Sequence, residues 1–466
     1  MKNKIFTSRY AIPLGILLTG LCYFFGNGLS GDYWYLVWIA PVPILYLSFI
    51  HNRKVVFIIA FIAYLIGKLS WFGYLATVVG IVPTIIIISA ISLVFAGIVI
   101  LTRATVLRLN NWYAVFAFPL YFTAFEFLLI RLSADGTATS IAYSQMKCLP
   151  LIQVAAFGGI LAITFIITLI PSLLVFAKNK SVLLLIPVIL LSGYWRIKNG
   201  GEKIKVGLIA MEESRHNSTV LPSAEKDSLA TSYYLQQIDT LNAQIVLLPE
   251  RALSISTNAV KRQLQDAAKR NKLFIIAGYT NLTTDAPYNS AIVIDDNGNI
   301  LTDYNKRHLV TGFERAFTPG KDIGIFRLHH LQAGIAICKD LDFHKYIRQY
   351  GKQEPAILFI PAWDFVVDDW LHASMAILRG VENGFCEVRA ARTGLLTISD
   401  CYGRVIAASS TTKGQYASLV GEVQVKHVST FYTKFGDWIG WLSLIGSIAL
   451  QIFVFRRLKV SGDIPR

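Results

Sequence analysis

Eight long apolar stretches dominate this sequence and decide most of what it can fold into. They fall near residues 10–26, 33–50, 55–74, 80–101, 112–131, 151–177, 181–195 and 437–455. A run of about 20 apolar residues matches the hydrocarbon thickness of a bilayer. The spacing therefore predicts seven membrane spans, a block of ordinary composition, and one further span. The average agrees: mean hydropathy is +0.50 and only 16% of residues are charged, too apolar for an ordinary soluble enzyme. The expected organisation is a membrane domain over 1–195, a soluble domain over 196–436, and a C-terminal span with its tail over 437–466. Lys2, Lys4 and Arg9 precede the first span as they would a signal peptide. Six more spans follow and no small-residue cleavage site stands out, so the first reads as an uncleaved helix.

The loops set an orientation. With the N-terminus inside, Arg53 and Lys54, Arg103 and Arg108, Lys178 and Lys180, and Arg456, Arg457 and Lys459 all face the cytoplasm. Loops 27–32 and 75–79 carry no Lys or Arg, and 132–150 carries only Lys147. This alternation follows the positive-inside rule and puts the soluble block outside the cytoplasm, in the periplasm of a cell with an outer membrane. Net charge is +15, but no compact basic run is interleaved with aromatics, so the excess belongs to loops meeting anionic lipid rather than to a nucleic-acid site. Within the spans, Lys68 and Arg131 read as snorkelling side chains, and Glu126 as facing the bundle interior.

The soluble block alternates strand-like and helix-like segments. Strands are expected at 203–210, 244–248, 273–278, 356–360 and 394–399, helices at 223–241, 260–271 and 370–384, and a hairpin turns at Asp296-Asn-Gly. This is an α/β layered domain, large enough for a substantial core.

Three polar residues sit at the ends of apolar strands in that block: Glu250 in Leu-Leu-Pro-Glu, Lys306 in Tyr-Asn-Lys-Arg-His-Leu, and Cys338 closing Leu331–Cys338. A thiol where a strand turns into an expected helix (342–350) is aimed at a site. The helix start and a nearby lysine would both favour its thiolate. Cysteine as nucleophile, glutamate as proton acceptor and lysine as oxyanion partner suffice for covalent acyl chemistry through a thioester. The other cysteines, Cys22, Cys148, Cys386 and Cys401, form no CxxC pair, zinc spacing or disulfide framework, so no metal is expected.

Those three residues resemble the Glu-Lys-Cys triad of the nitrilase superfamily. With seven spans before the block and one after, the whole chain is similar to the bacterial apolipoprotein N-acyltransferase family. The resemblance implies an α-β-β-α sandwich behind a multi-pass α-helical membrane domain, with Glu250, Lys306 and Cys338 catalytic. It implies a phospholipid acyl donor, a diacylglyceryl-cysteine lipoprotein whose N-terminal amine is the acceptor, a bacterial inner-membrane location and no cofactor. Glu314 falls where the family places a second active-site glutamate, and Tyr143-Ser-Gln145 resembles a stretch of its membrane part. Trp363 and Asp364 follow a strand end and are expected to line the pocket, while Glu382 and Arg389 are expected to pair behind the site. His308 reads as a structural hydrogen-bonding residue. The chain departs from the family at Lys339-Asp340, where Tyr-Glu usually follows the cysteine. It departs again in a short Lys306-to-Cys338 interval and in loop 133–139, which lacks a Pro-Trp. Lys339 and Asp340 therefore count as supporting residues that bear on the acceptor. A membrane-tethered amidase hydrolysing a carbon–nitrogen bond is the alternative activity.

Overall fold

The computed structural model describes residues 10–109, 111–177, 180–212 and 224–461; Lys2, Lys4, Arg9, Lys178 and Ser223 lie outside them. The chain forms two compact units. One comprises Met1–Ser133, Thr139–Arg196 and Asp437–Arg466, the other Ala134–Ala138 and Ile197–Gly436.

The first unit is helical: α1 (Ala11–Gly26), α2 (Val42–Leu47), α3 (Arg53–Lys68), α4 (Phe72–Val79), α5 (Ile81–Leu109), α6 (Ala117–Leu132), α7 (Leu149–Ile152), α8 (Ala155–Gly158), α9 (Ile160–Phe176) and α10 (Leu185–Arg196). A long C-terminal helix, Trp438–Ser461, completes it. By length and composition, four segments can cross a bilayer: Arg53–Val79, Ile81–Leu109, Trp112–Leu132 and Trp438–Arg456. The other four expected spans are shorter apolar helices, Ala11–Gly26, Trp34–Leu47, Ile160–Phe176 and Leu185–Arg196. Backbone chemistry explains two of the breaks. Pro41, the N-cap of α2, stands between a 3-10 turn (Trp34–Trp38) and that helix, and Gly159 at φ +68° divides α8 from α9.

Glu126 does face the bundle interior. It accepts from Ser140 Oγ (3.0 Å), Ile141 N (2.8 Å) and Thr164 Oγ1 (2.6 Å). Lys68 does not snorkel: it is buried, its ammonium between the rings of Tyr64 (5.5 Å) and Trp71 (5.4 Å). Arg131, a third exposed, reaches Asp437 at 3.8 Å and covers the rings of Phe127 and Trp441.

The second unit holds two six-stranded sheets. Its strands are β1 (Glu202–Ala210), β2 (Ile245–Ile255), β3 (Phe274–Asn281), β4 (Tyr288–Ile294), β5 (Ile300–Asn305), β6 (Gly324–Leu328), β7 (Leu331–Ile335), β8 (Ile357–Ala362), β9 (Cys386–Ala391), β10 (Leu395–Ser399), β11 (Val405–Ser410) and β12 (Ala417–Val425). One sheet runs β12-β1-β2-β3-β4-β5 and the other β11-β10-β9-β8-β7-β6. Its helices are α11 (Ala224–Thr240), α12 (Asn258–Asn271), α13 (His344–Gly351), α14 (Asp369–Asn383) and α15 (Phe431–Phe435), so the C-terminal helix is α16.

Alternating side chains build three apolar layers from these elements. Val206, Leu208, Leu247, Ile276, Ile335, Phe359, Val388 and Ile398 fill the space between the sheets. Tyr234 and Ile238 of α11 and Leu264 and Ala267 of α12 cover the outer face of the first sheet. Ile347 and Tyr350 of α13 and Ala376 of α14 cover that of the second. The expected α-β-β-α sandwich is the observed fold.

Candidate active site

Glu250 is presented by an irregularity in β2. The β2–β3 register shifts between Leu248 and Leu253, so residues 249–252 bulge out of the ladder and Arg251 takes φ +50°. Gly278 of β3 faces that bulge. A Cβ there would sit 2.2 Å from the Pro249 carbonyl and 2.7 Å from Glu250 Cα, so only glycine admits the approach. Lys306 follows the last residue of β5, where its N–H donates to Asn289 O at 2.8 Å, and it is fully buried. Glu314 sits in a turn closed by its own N–H to Val310 O. Cys338 begins a 3-10 turn three residues past β7, at φ +44°. A non-glycine residue held in this region stores about 1–3 kcal/mol and persists only where its surroundings over-determine it.

The structure brings Glu250, Lys306 and Glu314 into one buried network. Lys306 Nζ donates to Glu250 Oε1 (2.7 Å) and Glu314 Oε2 (2.9 Å). Asn289, which carried no sequence signal, ties the same two carboxylates from below. Its Nδ2 donates to Glu250 Oε1 (2.6 Å) and Glu314 Oε1 (2.5 Å). Val310 N adds a third donor to Glu314 at 2.7 Å. Glu250 Oε2 is buried and has no hydrogen-bond partner among the described residues.

The two carboxylates are pushed apart in acidity. Burial raises Glu250, and the neighbouring Glu314 charge adds to this against the pull of Lys306. Glu314 is buried too, but Lys306 and its backbone donor hold it below the ordinary carboxylate value. Burial alone would lower Lys306; Glu250 and Glu314 instead hold it well above its usual value, so it stays cationic. Cys338 runs against the expectation of a resting thiolate. Burial and the Glu250 carboxylate push it well above its ordinary value, more than Lys306 and Arg389 offset. Its Sγ points toward Trp363 O at 3.6 Å. The thiol is therefore held in its neutral form.

Around the thiol, Trp363 is flanked by the guanidinium groups of Arg392 (3.8 Å) and Arg251 (5.4 Å). Asp364 pairs with Arg389 in a short ion pair, and Arg389 also reaches Leu395 O. The Glu382–Arg389 pair expected from sequence is absent because Arg389 lies on β9 facing Asp364, while Glu382 pairs with Arg379 one helical turn away on α14. Asp340 looks away from the thiol: its carboxylate accepts from Tyr304 OH (2.6 Å), Ile337 N (3.1 Å) and His308 N (2.9 Å). His308 adds an Nδ1 contact to Asp340 at 2.9 Å and stacks on Phe343, a structural role. Lys339 is buried against Asp135. Tyr143 and Gln145 belong to the helical unit, where Gln145 accepts from Trp38 Nε1 (2.7 Å) and donates to Trp34 O (3.1 Å).

Two packed six-stranded sheets carry this network, and residues 209–430 match the family model described as carbon-nitrogen hydrolase. Residues 17–173 match the one described as apolipoprotein N-acyltransferase N-terminal domain. The apolipoprotein N-acyltransferase of Geobacter metallireducens is 25% identical over 485 residues, spanning 91% of this chain and 92% of that one. That of Haemophilus ducreyi is 23% identical over 479 residues, spanning 92% and 94%. A crystal structure of an amidase from Nesterenkonia sp. aligns over 51% of this chain and 95% of its own at 15% identity, TM-score 0.41. The chain belongs to the apolipoprotein N-acyltransferase family as a divergent member of the nitrilase superfamily. It is an enzyme of acyltransferase type and a membrane protein.

Proposed function

We propose that the chain transfers an acyl chain from a phospholipid, by way of a thioester on Cys338, to the N-terminal amine of a diacylglyceryl-cysteine lipoprotein. The observation that carries the reading is the buried Oε2 of Glu250, which has no hydrogen-bond partner among the described residues and whose carboxylate helps push the Cys338 thiol above its ordinary value. Its other oxygen is saturated by Lys306 and Asn289, so one lone-pair face is left for a proton. As Sγ attacks the ester carbonyl, the thiol proton passes to Glu250. The carbonyl oxygen gains charge facing the Lys306 ammonium. Collapse breaks the ester C–O bond, and Glu250 returns the proton to the lysophospholipid alkoxide. In the second half the amine attacks the thioester carbon, Glu250 takes an amine proton, and the C–S bond breaks to regenerate the thiol and release an amide. Glu314, kept ionised, holds Lys306 charged through both halves. Trp363 and Asp364 border the thiol, and Tyr143 and Gln145 brace the helical unit.

Feeding cells an alkyne fatty acid tests the scheme. A hydroxylamine-sensitive acyl group on Cys338, and loss of N-terminal acylation of lipoproteins in Cys338→Ala cells, is the expected pair of results. Unchanged lipoprotein acylation in a cell with no second acyltransferase overturns it. Amide hydrolysis without acyl transfer would instead show the amidase activity.

A further inference from the structure

Lys339, the residue after Cys338, has a partner two hundred positions away. Lys339 is buried in the 3-10 turn that opens with Cys338, and its Nζ donates to Asp135 Oδ1 at 2.5 Å. Asp135 belongs to a five-residue segment, Ala134–Ala138, that packs with the α/β unit. The same segment grips the far end of the turn. Thr137 donates twice to Asp342 O, from its N–H (3.0 Å) and its hydroxyl (2.9 Å). Gly136, at φ +53°, lies so close that a Cβ would fall 2.3 Å from the Asp342 carbonyl oxygen.

Asp342 is the other carboxylate in reach of Lys339, at 3.9 Å. Burial raises its carboxyl to about 7 despite Lys339, which makes it the weaker partner near neutral pH. Asp135 is half exposed, so the ion pair does not have to bury both of its members. One end of the turn carries a residue at φ +44°, a conformation its neighbours must impose. The segment supplies contacts to both the first and the last residues after the thiol.

We propose that Asp135, Gly136 and Thr137 form a clamp on the Cys338 turn, with Lys339 as the positioning residue that fastens it through Asp135. Lys339 acts on the reaction through the geometry of the thiol rather than by touching substrate. The inference rests on Cys338 being the nucleophile, and the test separates the two ideas.

The full-length protein in detergent micelles is assayed in two ways. Acyl loading is followed with a fluorescent phospholipid, and Cys338 alkylation by iodoacetamide is followed by intact mass. For Lys339→Met, Asp135→Asn and Gly136→Ala, both rates are expected to fall on the order of tenfold or more, in kcat rather than KM, the scale set by displacing a reacting atom by about 1 Å. Lys339→Arg, which can still reach Asp135, is expected to recover most of the rate. Loading and alkylation at wild-type rates in Lys339→Met and Gly136→Ala overturn the clamp, as does Lys339→Arg behaving like Lys339→Met. Asp135→Asn keeps size and a half-exposed position, so it remains interpretable if the buried variants fail to fold. If no variant or wild-type protein loads acyl chains yet alkylation follows the expected pattern, the functional reading fails and the clamp stands.

Discussion

Glu250 and Glu314 share one lysine and one asparagine, yet their acidities move in opposite directions, and the proposed roles divide along this asymmetry. Glu314 accepts a backbone N–H and holds its charge; Glu250 has a bare oxygen and a raised affinity for protons. Glu250→Gln is therefore expected to slow thioester formation about 10²–10⁴-fold, the usual share of a general base. Glu314→Gln, which leaves Lys306 held by Glu250, is expected to slow it only about tenfold. Comparable losses in both would show that the two carboxylates act as one unit. The base works only when deprotonated, so loading should rise with pH along a limb centred above the ordinary carboxylate value of about 4.3. Asn289 donates to Glu250 and lowers its pKa, so Asn289→Ala should move that limb to higher pH. Glu250, Lys306 and Cys338 were readable because polar residues ending apolar runs stand out against their neighbours. Asn289, inside Tyr-Asn-Ser-Ala-Ile-Val-Ile, was not, since one amide in a strand looks like any solvent-facing residue until the fold buries it.

At the scale of elements, the bulge in β2 and the start of α14 each tie backbone geometry to the site. Gly278→Ala forces a methyl group against Pro249 O and Glu250 Cα. Overpacking of this kind destabilises by about 1–3 kcal/mol. The variant should lose thermal stability together with acyl loading, measured by tryptophan fluorescence and the phospholipid assay; stability lost with loading intact would detach the bulge from the site. At the start of α14, Asp368 lies 3.3 Å from His372 Nε2, beside Asp364, Arg389, Asp342 and Lys339. Burial, reinforced by Asp364, raises Asp368 to about 9, and burial lowers His372 to about 4, so both are neutral at pH 7. A raised carboxyl contributes its stability below the unfolded value and loses it as pH climbs through the folded one. Asp368→Asn removes that loss, so its unfolding temperature should gain on the wild type as pH rises from 7 to 10; a constant difference would show that Asp368 is already ionised. His372 carries the opposite sign, its stability lost as pH falls from 6.5 toward 4. The strands at 203–210, 244–248, 273–278, 356–360 and 394–399 were legible as apolar runs. β6, β11 and β12 were not: β11 and β12 alternate exposed and half-buried residues, and β12 pairs with β1 across two hundred residues, which no local pattern encodes.

For the whole molecule, the apolar runs located the helical unit and the composition break located the α/β unit, but not the five residues 134–138 that pack with the latter. Those residues read as an ordinary outer loop, because a contact with position 339 or 342 leaves no trace in their own sequence. The charge pattern carries the largest remaining claim, that the α/β unit lies outside the cytoplasm. Arg53, Lys54, Arg103 and Arg108 fall at one set of turns, while 27–32 and 75–79 are free of both cations. Moving basic residues across a membrane is opposed during insertion, so this asymmetry favours one orientation. A membrane-impermeant maleimide applied to spheroplasts can read it. In a Cys338→Ala background, a cysteine placed at Asn297, exposed in the β4–β5 turn, should be labelled from outside. One placed at Lys54, exposed at the start of α3, should be labelled only after the membrane is opened. The reverse result would put Cys338 in the cytoplasm. It would then lie on the wrong side of the membrane from an extracytoplasmic lipoprotein amine, and the acceptor proposed above would have to be abandoned even with the thioester chemistry intact.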